Sequence, residues 1–460
     1  MRRAMRLAVV AAGLAAGLTL ATSAGSDPVT LDANALRQLA FTAMKAGFAE
    51  QAIGYTDALL NRDPSDTTAL TIRSQALRSL GRAEAARAAA RAAWAASDSD
   101  PERFGASMAM AQALSTEGRR TAAQWWLRRA GQAAPNARAE AVARRDFAYV
   151  KSRNPWDIQI NVSAAPSSNV NNGSQQDRLT LAGLPFEFEI PADAQALSGF
   201  ETGLGLRATY RFAPTAPNRL TRANFGVLVQ AVTPSSEARA RVPDIEGSDF
   251  SYAAIEAGLT HRRALNPAGA TTLSFGVTGG HNWYGGAALS DYLQLQTGIE
   301  HRLNGKSAIN AGLAADRVLR IDSSRQSSDR VEASLGYGRV LASGDQVSLE
   351  VTAARAVSGS AEIGNEAVGL TLDWTRQTPV AGLGLSAGLG IEQRVYAQSR
   401  YVAGGREDIR LSANLTMSFD TLDYLGFSPV LDLRATRNRS NAALFDTQDF
   451  GITLGIKSSF

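Results

Sequence analysis

The chain has 460 residues, with 47 Lys and Arg against 43 Asp and Glu and no cysteine. This near balance argues against a dedicated nucleic-acid binder, which carries a concentrated basic face. The lack of cysteine excludes a disulfide framework, a thiolate metal site, a cysteine nucleophile and the acylation site of a lipoprotein.

Residues 1–24 read as a secretory signal. Arg2, Arg3 and Arg6 make a basic start, Leu7 to Leu20 is an uncharged apolar run, and Thr22-Ser23-Ala24 supplies small residues for cleavage. The run falls short of the ~20 residues of a spanning helix, and no later segment has one.

Residues 30–152 are rich in Ala, Arg, Leu and Glu and nearly lack β-branched runs, which favours helix. A repeat is marked by Gly47, Gly81 and Gly118, 34 and 37 residues apart. Small residues precede each glycine by seven positions (Ala40, Ser74, Ala111) and follow it by five (Ala52, Ala86, Ala123). Pro64, Pro101 and Pro135 come later in each unit. Glycine permits the turn between antiparallel helices, small residues let the helices approach, and proline ends one pair and starts the next. The pattern resembles the tetratricopeptide repeat. Asp98 stands where proline is usual and Pro101 comes three residues late, which lengthens the turn at Ser97 to Asp100. A last helix near Ala137 to Val150 caps the stack. Such a solenoid offers either a concave groove for an extended partner segment or a rigid spacer or barrel plug.

From Trp156 to Phe460 the period changes to two. Trp156, Ile158, Ile160 and Val162 alternate with Asp157, Gln159 and Asn161; Ile409 to Phe419 and Phe450 to Ile456 do the same. The segments suit the ~9–11 residues of a transmembrane strand. Short turns, as at 213–219 and 304–306, alternate with longer polar loops, as at 167–195, 233–248 and 322–328. That is the pattern of an outer-membrane barrel. Fourteen strands are expected to begin near Trp156, Gly199, Thr221, Phe250, Thr271, Ser290, Ser307, Asp329, Gln346, Glu366, Leu383, Asp408, Pro429 and Asp449. The even number returns the C-terminus to the side of the N-terminus. Aromatics near strand ends, among them Trp156, Tyr210, Phe212, Trp283 and Tyr424, suit interfacial girdles. A mixed-charge lumen is expected from acids such as Glu201, Glu256, Glu300 and Asp316 with Arg207, Arg317, Arg339, Arg355 and Arg410 pointing inward. The terminal Phe460, preceded by Gly455 on an amphipathic strand, resembles the signal read by the barrel-assembly machinery; Ser458 departs from it.

The fold class is therefore α+β multidomain: a signal (1–24), a periplasmic helical solenoid (30–152) and a fourteen-stranded antiparallel transmembrane barrel (156–460). No nucleophile elbow, phosphate loop or metal signature is present, so neither enzymatic activity nor a cofactor is expected. His261, His281 and His301 recur every 20 residues because hairpins repeat at that length.

The junction, residues 154–174, joins the repeat to the first strand and carries Asn169, Asn171 and Asn172. With this architecture it resembles the opening of the surface lipoprotein assembly modulator family (Slam, the translocator of type XI secretion). The resemblance implies export of a client across the outer membrane, the client being a surface lipoprotein or a related soluble protein. It also implies contact of the repeats with the client or a periplasmic chaperone, and surroundings of outer-membrane lipid. A polysaccharide exporter of the repeat-plus-barrel type is the leading alternative, and a passive porin a third.

Overall fold

The computed structural model describes residues 31–181 and 186–458. The expected signal and Phe460 lie outside them. The described residues form two compact units, one ending at Gly118 and one starting at Arg119.

The first unit holds α1 (Ala33–Lys45), α2 (Ala49–Arg62), α3 (Thr67–Ser79), α4 (Ala83–Ala95) and α5 (Asp100–Thr116). Gly47 and Gly81 sit at φ +85° and +76° between α1 and α2 and between α3 and α4; Gly118, at φ +78°, follows α5. This left-handed conformation lets an abrupt helix end satisfy its own carbonyls: the N–H after each of the first two glycines reaches back, Phe48 to Ala43 and Arg82 to Leu77. Ala52 and Ala86 are completely buried. They belong to small apolar clusters, Ala43, Ala49, Ala52 and Ala76 in one and Leu77, Ala86, Ala89 and Ala113 in the next. Methyl-sized side chains bring the helices together, and Ser74 on this face donates to the Ala86 carbonyl at 2.8 Å. Pro64 follows α2 in the turn to α3, whereas Pro101 lies in the first turn of α5, where its missing N–H costs nothing. The lengthened 97–100 turn is organised by Glu102. It accepts from the Ser99 hydroxyl at 2.9 Å, from the Asp98 and Ser99 N–H groups, and from the Thr67 hydroxyl at 2.8 Å.

The second unit begins with α6 (Arg120–Gln132) and α7 (Ala137–Arg153). Asn136 caps α7 by accepting from Ala139 N–H. Ala123 in α6 is fully buried, and Pro135 stands in the turn between the two helices.

Strands follow: β1 (Trp156–Ser167), β2 (Arg178–Thr180), β3 (Glu187–Glu189), β4 (Gly199–Arg211), β5 (Arg219–Pro234), then, after a short helix α8 (Ser236–Arg241), β6 (Tyr252–Ala264), β7 (Thr271–Tyr284), β8 (Ala287–Asn304) and β9 (Ser307–Arg320). The remainder are β10 (Ser328–Val340), β11 (Gln346–Ser358), β12 (Asn365–Thr375), β13 (Leu383–Tyr396), β14 (Arg406–Phe419), β15 (Phe427–Ser440) and β16 (Thr447–Ser458). Fourteen of these close into one antiparallel barrel, β4 and β16 flanking β1; β2 and β3 form a separate hairpin in the first long loop. The expected strand starts agree closely. The largest difference is at β8, expected at Ser290 and found at Ala287.

Directly opposed residues share a face, so the register assigns every side chain. Ile158, Ile160, Leu204, Leu206, Leu335 and Val351 are exposed on the outer face. Their neighbours Gln159, Gly205, Glu332 and Glu350 turn to the lumen. The outer face stays apolar because lipid solvates it, and the ladder closes because lipid offers backbone groups no partner.

The ends differ. One end carries both termini of the barrel and connections of 212–218, 265–270, 305–306, 341–345, 376–382 and 420–426. The other carries the long connections 168–198 and 235–251. The expected alternation of short and long holds only in part: the connections 321–327, 359–364 and 441–446 at this second end are no longer than those at the first, and β7 and β8 meet there through Gly285-Gly286 alone, both at positive φ. Two consecutive residues of that conformation match the twist of a tight hairpin.

Two outcomes follow. Leu335→Arg, near the middle of β10 on the outer face, should cost about 2–4 kcal/mol in denaturant unfolding of the lipid-embedded protein, and Glu332→Gln on the lumen face much less. Hydrogen bonds, first from Thr67 and Ser99, hold the Glu102 carboxyl below its ordinary value of 4.5. A depressed pKa stabilises the fold above that ordinary value and ceases to do so as pH falls through the lowered one. Glu102→Gln should therefore lower the helix melting temperature of the full chain at pH 7, and the deficit should shrink at strongly acid pH, read by circular dichroism.

Candidate functional site

The lumen wall is polar and low in profile. Gln230 donates to Glu201 at 2.7 Å, the Tyr292 hydroxyl to Glu256 at 2.9 Å and Gln294 to Asp316 at 2.6 Å. Arg262 pairs with Glu300 at 3.3 Å and Arg434 with Asp449 at 3.4 Å. These side chains lie along the wall because glycines across from them make room. A Cβ at Gly226, Gly276 or Gly336 would come within 3.0 Å of Glu256, Gln296 or Asn310 respectively. A polar cavity of about 280 Å³ opens in this wall, lined among others by Arg262, Ser274, Gln296, Glu300 and Asn310. The wall thus presents hydrogen-bonding groups, and some of its charges are paired with one another.

Three arginines expected inside are outside. Arg317, Arg339 and Arg355 share the parity of Leu313, Tyr337 and Val351, so period two turns them outward. Arg317 follows Asp316 directly, and adjacent residues cannot both face the lumen. Near the long-loop end, Arg317 pairs with Asp329 at 3.5 Å and Arg355 with Glu366 at 3.8 Å, all well exposed. The register also sets the three histidines on the outer face: His261 and His301 near the short-turn end, each bonded to a threonine hydroxyl at 2.9 Å, and His281 near the other, bonded to Asp291 at 2.7 Å. Trp156, Tyr210 and Phe212 stack edge to face at the short-turn end, with centroids 4.9 and 5.1 Å apart.

At the long-loop end the asparagines of the junction fold the first loop. Asn169 donates to the Gly173 and Gln448 carbonyls at 2.9 and 3.1 Å and accepts from Gly173 N–H. Asn171 donates to the Asp193 and Gln195 carbonyls at 2.8 and 2.7 Å and accepts from Leu197 N–H. A side chain at Gly173 would collide with Gln195, so the close approach requires glycine. Deeper in the same layer, Arg406 is buried between the rings of Tyr396 and Phe445, each 3.6 Å away, and pairs with Glu362 at 2.9 Å and Asp408 at 3.3 Å. Four connections are thereby tied into one layer.

At the short-turn end the α6–α7 hairpin is fastened to the barrel. Arg128 is 9% exposed and donates to the carbonyls of Gly426 at 2.7 Å and Leu425 at 3.2 Å. Its guanidinium lies over Phe427, 4.4 Å from the centroid, and over Phe147 at 5.0 Å. Gln132 accepts from Leu425 N–H at 2.9 Å. Burial pushes the Arg128 guanidinium below its ordinary pKa, opposed by Asp423; arginine keeps its charge regardless. Leu425 takes a positive φ of 52°, which aims the turn's carbonyls at Arg128. On the β1 side Arg211 donates to the carbonyls of Ser152 at 2.6 Å and Asn154 at 3.1 Å. Sequence reasoning missed Arg128; the available signal was a charged residue next to Leu127 on the apolar stripe of α6. Gly455 faces the lumen on β16, its Cβ position 3.5 Å from the Val162 carbonyl oxygen.

A closed fourteen-stranded barrel with an apolar outer belt and a polar lumen defines an outer-membrane β-barrel protein, the short-turn end being the periplasmic one. Residues 269–460, from the turn before β7 to the end of the chain, match the family model described as surface lipoprotein assembly modifier. No curated protein matches the sequence. Among solved structures, an outer-membrane channel of Pseudomonas putida F1 is similar at 13% identity, covering 65% of this chain and 93% of that one, with a TM-score of 0.32. A bacterial polysaccharide outer membrane secretin is similar at 11% identity over 65% of this chain and 98% of that one, TM-score 0.33. The Yersinia enterocolitica type III secretion translocator chaperone SycD is similar at 17% identity over 27% of this chain and 88% of that one, TM-score 0.24.

Arg128→Ala removes a desolvated cation–π contact and two charge-assisted hydrogen bonds. The fastening should weaken by about 2 kcal/mol, roughly a thirtyfold rise in the released hairpin. Limited trypsinolysis of the full chain in detergent should then cut within 120–153 faster while the barrel stays resistant. Unchanged cleavage would show that Arg128 does not hold the hairpin.

Proposed function

We propose that this protein is an outer-membrane translocator that exports or displays a client protein, a surface lipoprotein or a related secreted protein. The observation that carries the reading is a closed barrel whose residues 269–460 match the surface lipoprotein assembly modifier family. The lumen supports it. Its polar wall, with side chains lying along it opposite glycines, would let a polypeptide pass without a strong binding site. In this reading the helices of residues 30–152 are periplasmic repeats of tetratricopeptide type that engage the client or its periplasmic chaperone, and the barrel-assembly machinery inserts the barrel. The chain works by binding and passage, with no catalytic step and no cofactor.

The test is surface biotinylation with mass spectrometry in strains carrying and lacking the gene. One or a few lipoproteins should disappear from the surface while their total amount holds, and the full chain should restore them. A variant lacking residues 31–118 should restore the barrel but not the display. An unchanged set of surface lipoproteins, or a fall in surface polysaccharide alone, would overturn the reading.

A further inference from the structure

The α6–α7 hairpin carries a charge unlike the rest of the chain. Residues 119–153 hold nine Lys and Arg against two Asp and Glu, which leaves 38 against 41 elsewhere. A basic block of this size repels itself and calls for an anionic surface opposite it.

On α7 the surplus is ordered. Arg138, Arg145, Tyr149 and Arg153 recur at intervals of seven, four and four, so they share one face of the helix. All four are exposed. Arg145 reaches its neighbour Asp146 at 3.4 Å and still keeps 74% of its side chain exposed. The opposite face is Ala143, Phe147 and Val150, all buried. The Arg153 guanidinium lies over Tyr149, 4.4 Å from the ring centroid, and Tyr149 is itself 54% exposed. α6 repeats the combination: Trp125 is 43% exposed, and Arg129 lies over it at 5.6 Å. A ring with a cation above it suits the headgroup region, where the ring meets apolar carbon and the guanidinium meets phosphate.

The hairpin also meets the barrel on its lipid side. α7 ends at Arg153, and Trp156 on the outer face of β1 follows after two residues. Arg128 of α6 lies over Phe427. Phe427 has the parity of Leu431 and Leu433, which oppose Leu454 and Ile452 on β16, so it belongs to the outer face as well. The hairpin thus joins the periplasmic rim at two outward-facing aromatics, beside the stacked Trp156, Tyr210 and Phe212.

We propose that the exposed side of α6–α7 binds the anionic phospholipid headgroups of the periplasmic leaflet, Arg138, Arg145 and Arg153 meeting phosphate oxygens while Tyr149 and Trp125 enter the interface. Two observations select this occupant: the charge is complementary, and the hairpin is continuous with the barrel's own lipid-facing surface. Basic helices with aromatic residues lie on anionic membranes for the same reason. Each basic residue near such a surface raises the bound population about fivefold, so the three arginines supply roughly a hundredfold. A hairpin held in this way fixes the start of β1 and the chain leading into it at the membrane surface. The inference does not depend on the export reading.

The chain has no cysteine, so Ala148→Cys, exposed beside Tyr149, takes a single environment-sensitive fluorophore. The full chain is placed in lipid nanodiscs of phosphatidylcholine alone, or of equal parts phosphatidylcholine and phosphatidylglycerol, each with a phospholipid carrying a nitroxide near its headgroup. The nitroxide should quench the label about fivefold more in the phosphatidylglycerol discs, and added salt should erase the difference. Arg138→Glu, Arg145→Glu and Arg153→Glu together should bring quenching down to the phosphatidylcholine level. The three corresponding changes to lysine should preserve it, and the barrel's heat-dependent gel mobility should be unchanged in both variants. The comparison of the two membranes keeps all three arginines and stands without either variant. Equal quenching in the two discs would overturn the assignment to anionic headgroups, and no quenching in either would overturn the lipid site altogether. Shielding of the label by dissolved polyglutamate but by neither disc would give the stripe to an acidic polypeptide and overturn the inference too.

Discussion

Backbone hydrogen bonding in lipid is the constraint on which the rest depends. Hydrocarbon offers no partner to an N–H or C=O, so each strand must be satisfied by two neighbours and the sheet must close. Antiparallel pairing carries this closure around fourteen strands. Once it is met, the alternation of side chains follows without further choice: one face belongs to lipid, the other to the lumen.

The two ends of the barrel solve different problems. At the external end, loops that would otherwise be loose are tied by buried polar contacts. Arg406 stacks between Tyr396 and Phe445 and reaches Glu362, and Asn169 and Asn171 use their amide groups in place of a regular ladder. At the periplasmic end a single guanidinium fastens a helical hairpin to a barrel turn. Arginine suits both places because its planar, weakly hydrated cation stacks on rings and donates in several directions at once. Between these ends the wall carries polar residues, several set opposite glycine, and some of its charges are paired.

Much of this was legible in the residues. Period-two runs such as Ile409 to Phe419 announced strands and their faces, and their spacing allowed the fourteen strands to be counted. Gly47 and Gly81 marked turns that need a positive φ. Legibility ended where facing depends on a position's exact register. Arg317, Arg339 and Arg355 look like lumen residues by charge, yet parity turns them outward. The Asn-rich junction was visible as a motif, but its work, folding one loop against Gln448 and Gln195, involves partners far along the chain.

The amino-acid sequence alone determined the local periods, the helix-to-strand change near residue 155, and the number of strands, because these follow from hydrophobic repeat and turn chemistry acting over a few residues. Tertiary structure decided which strand neighbours close the barrel and which carbonyls Arg128 meets. Those depend on residues nearly 300 positions apart, such as Arg128 and Gly426. No local pattern can encode a contact whose two halves become neighbours only when the ring is shut.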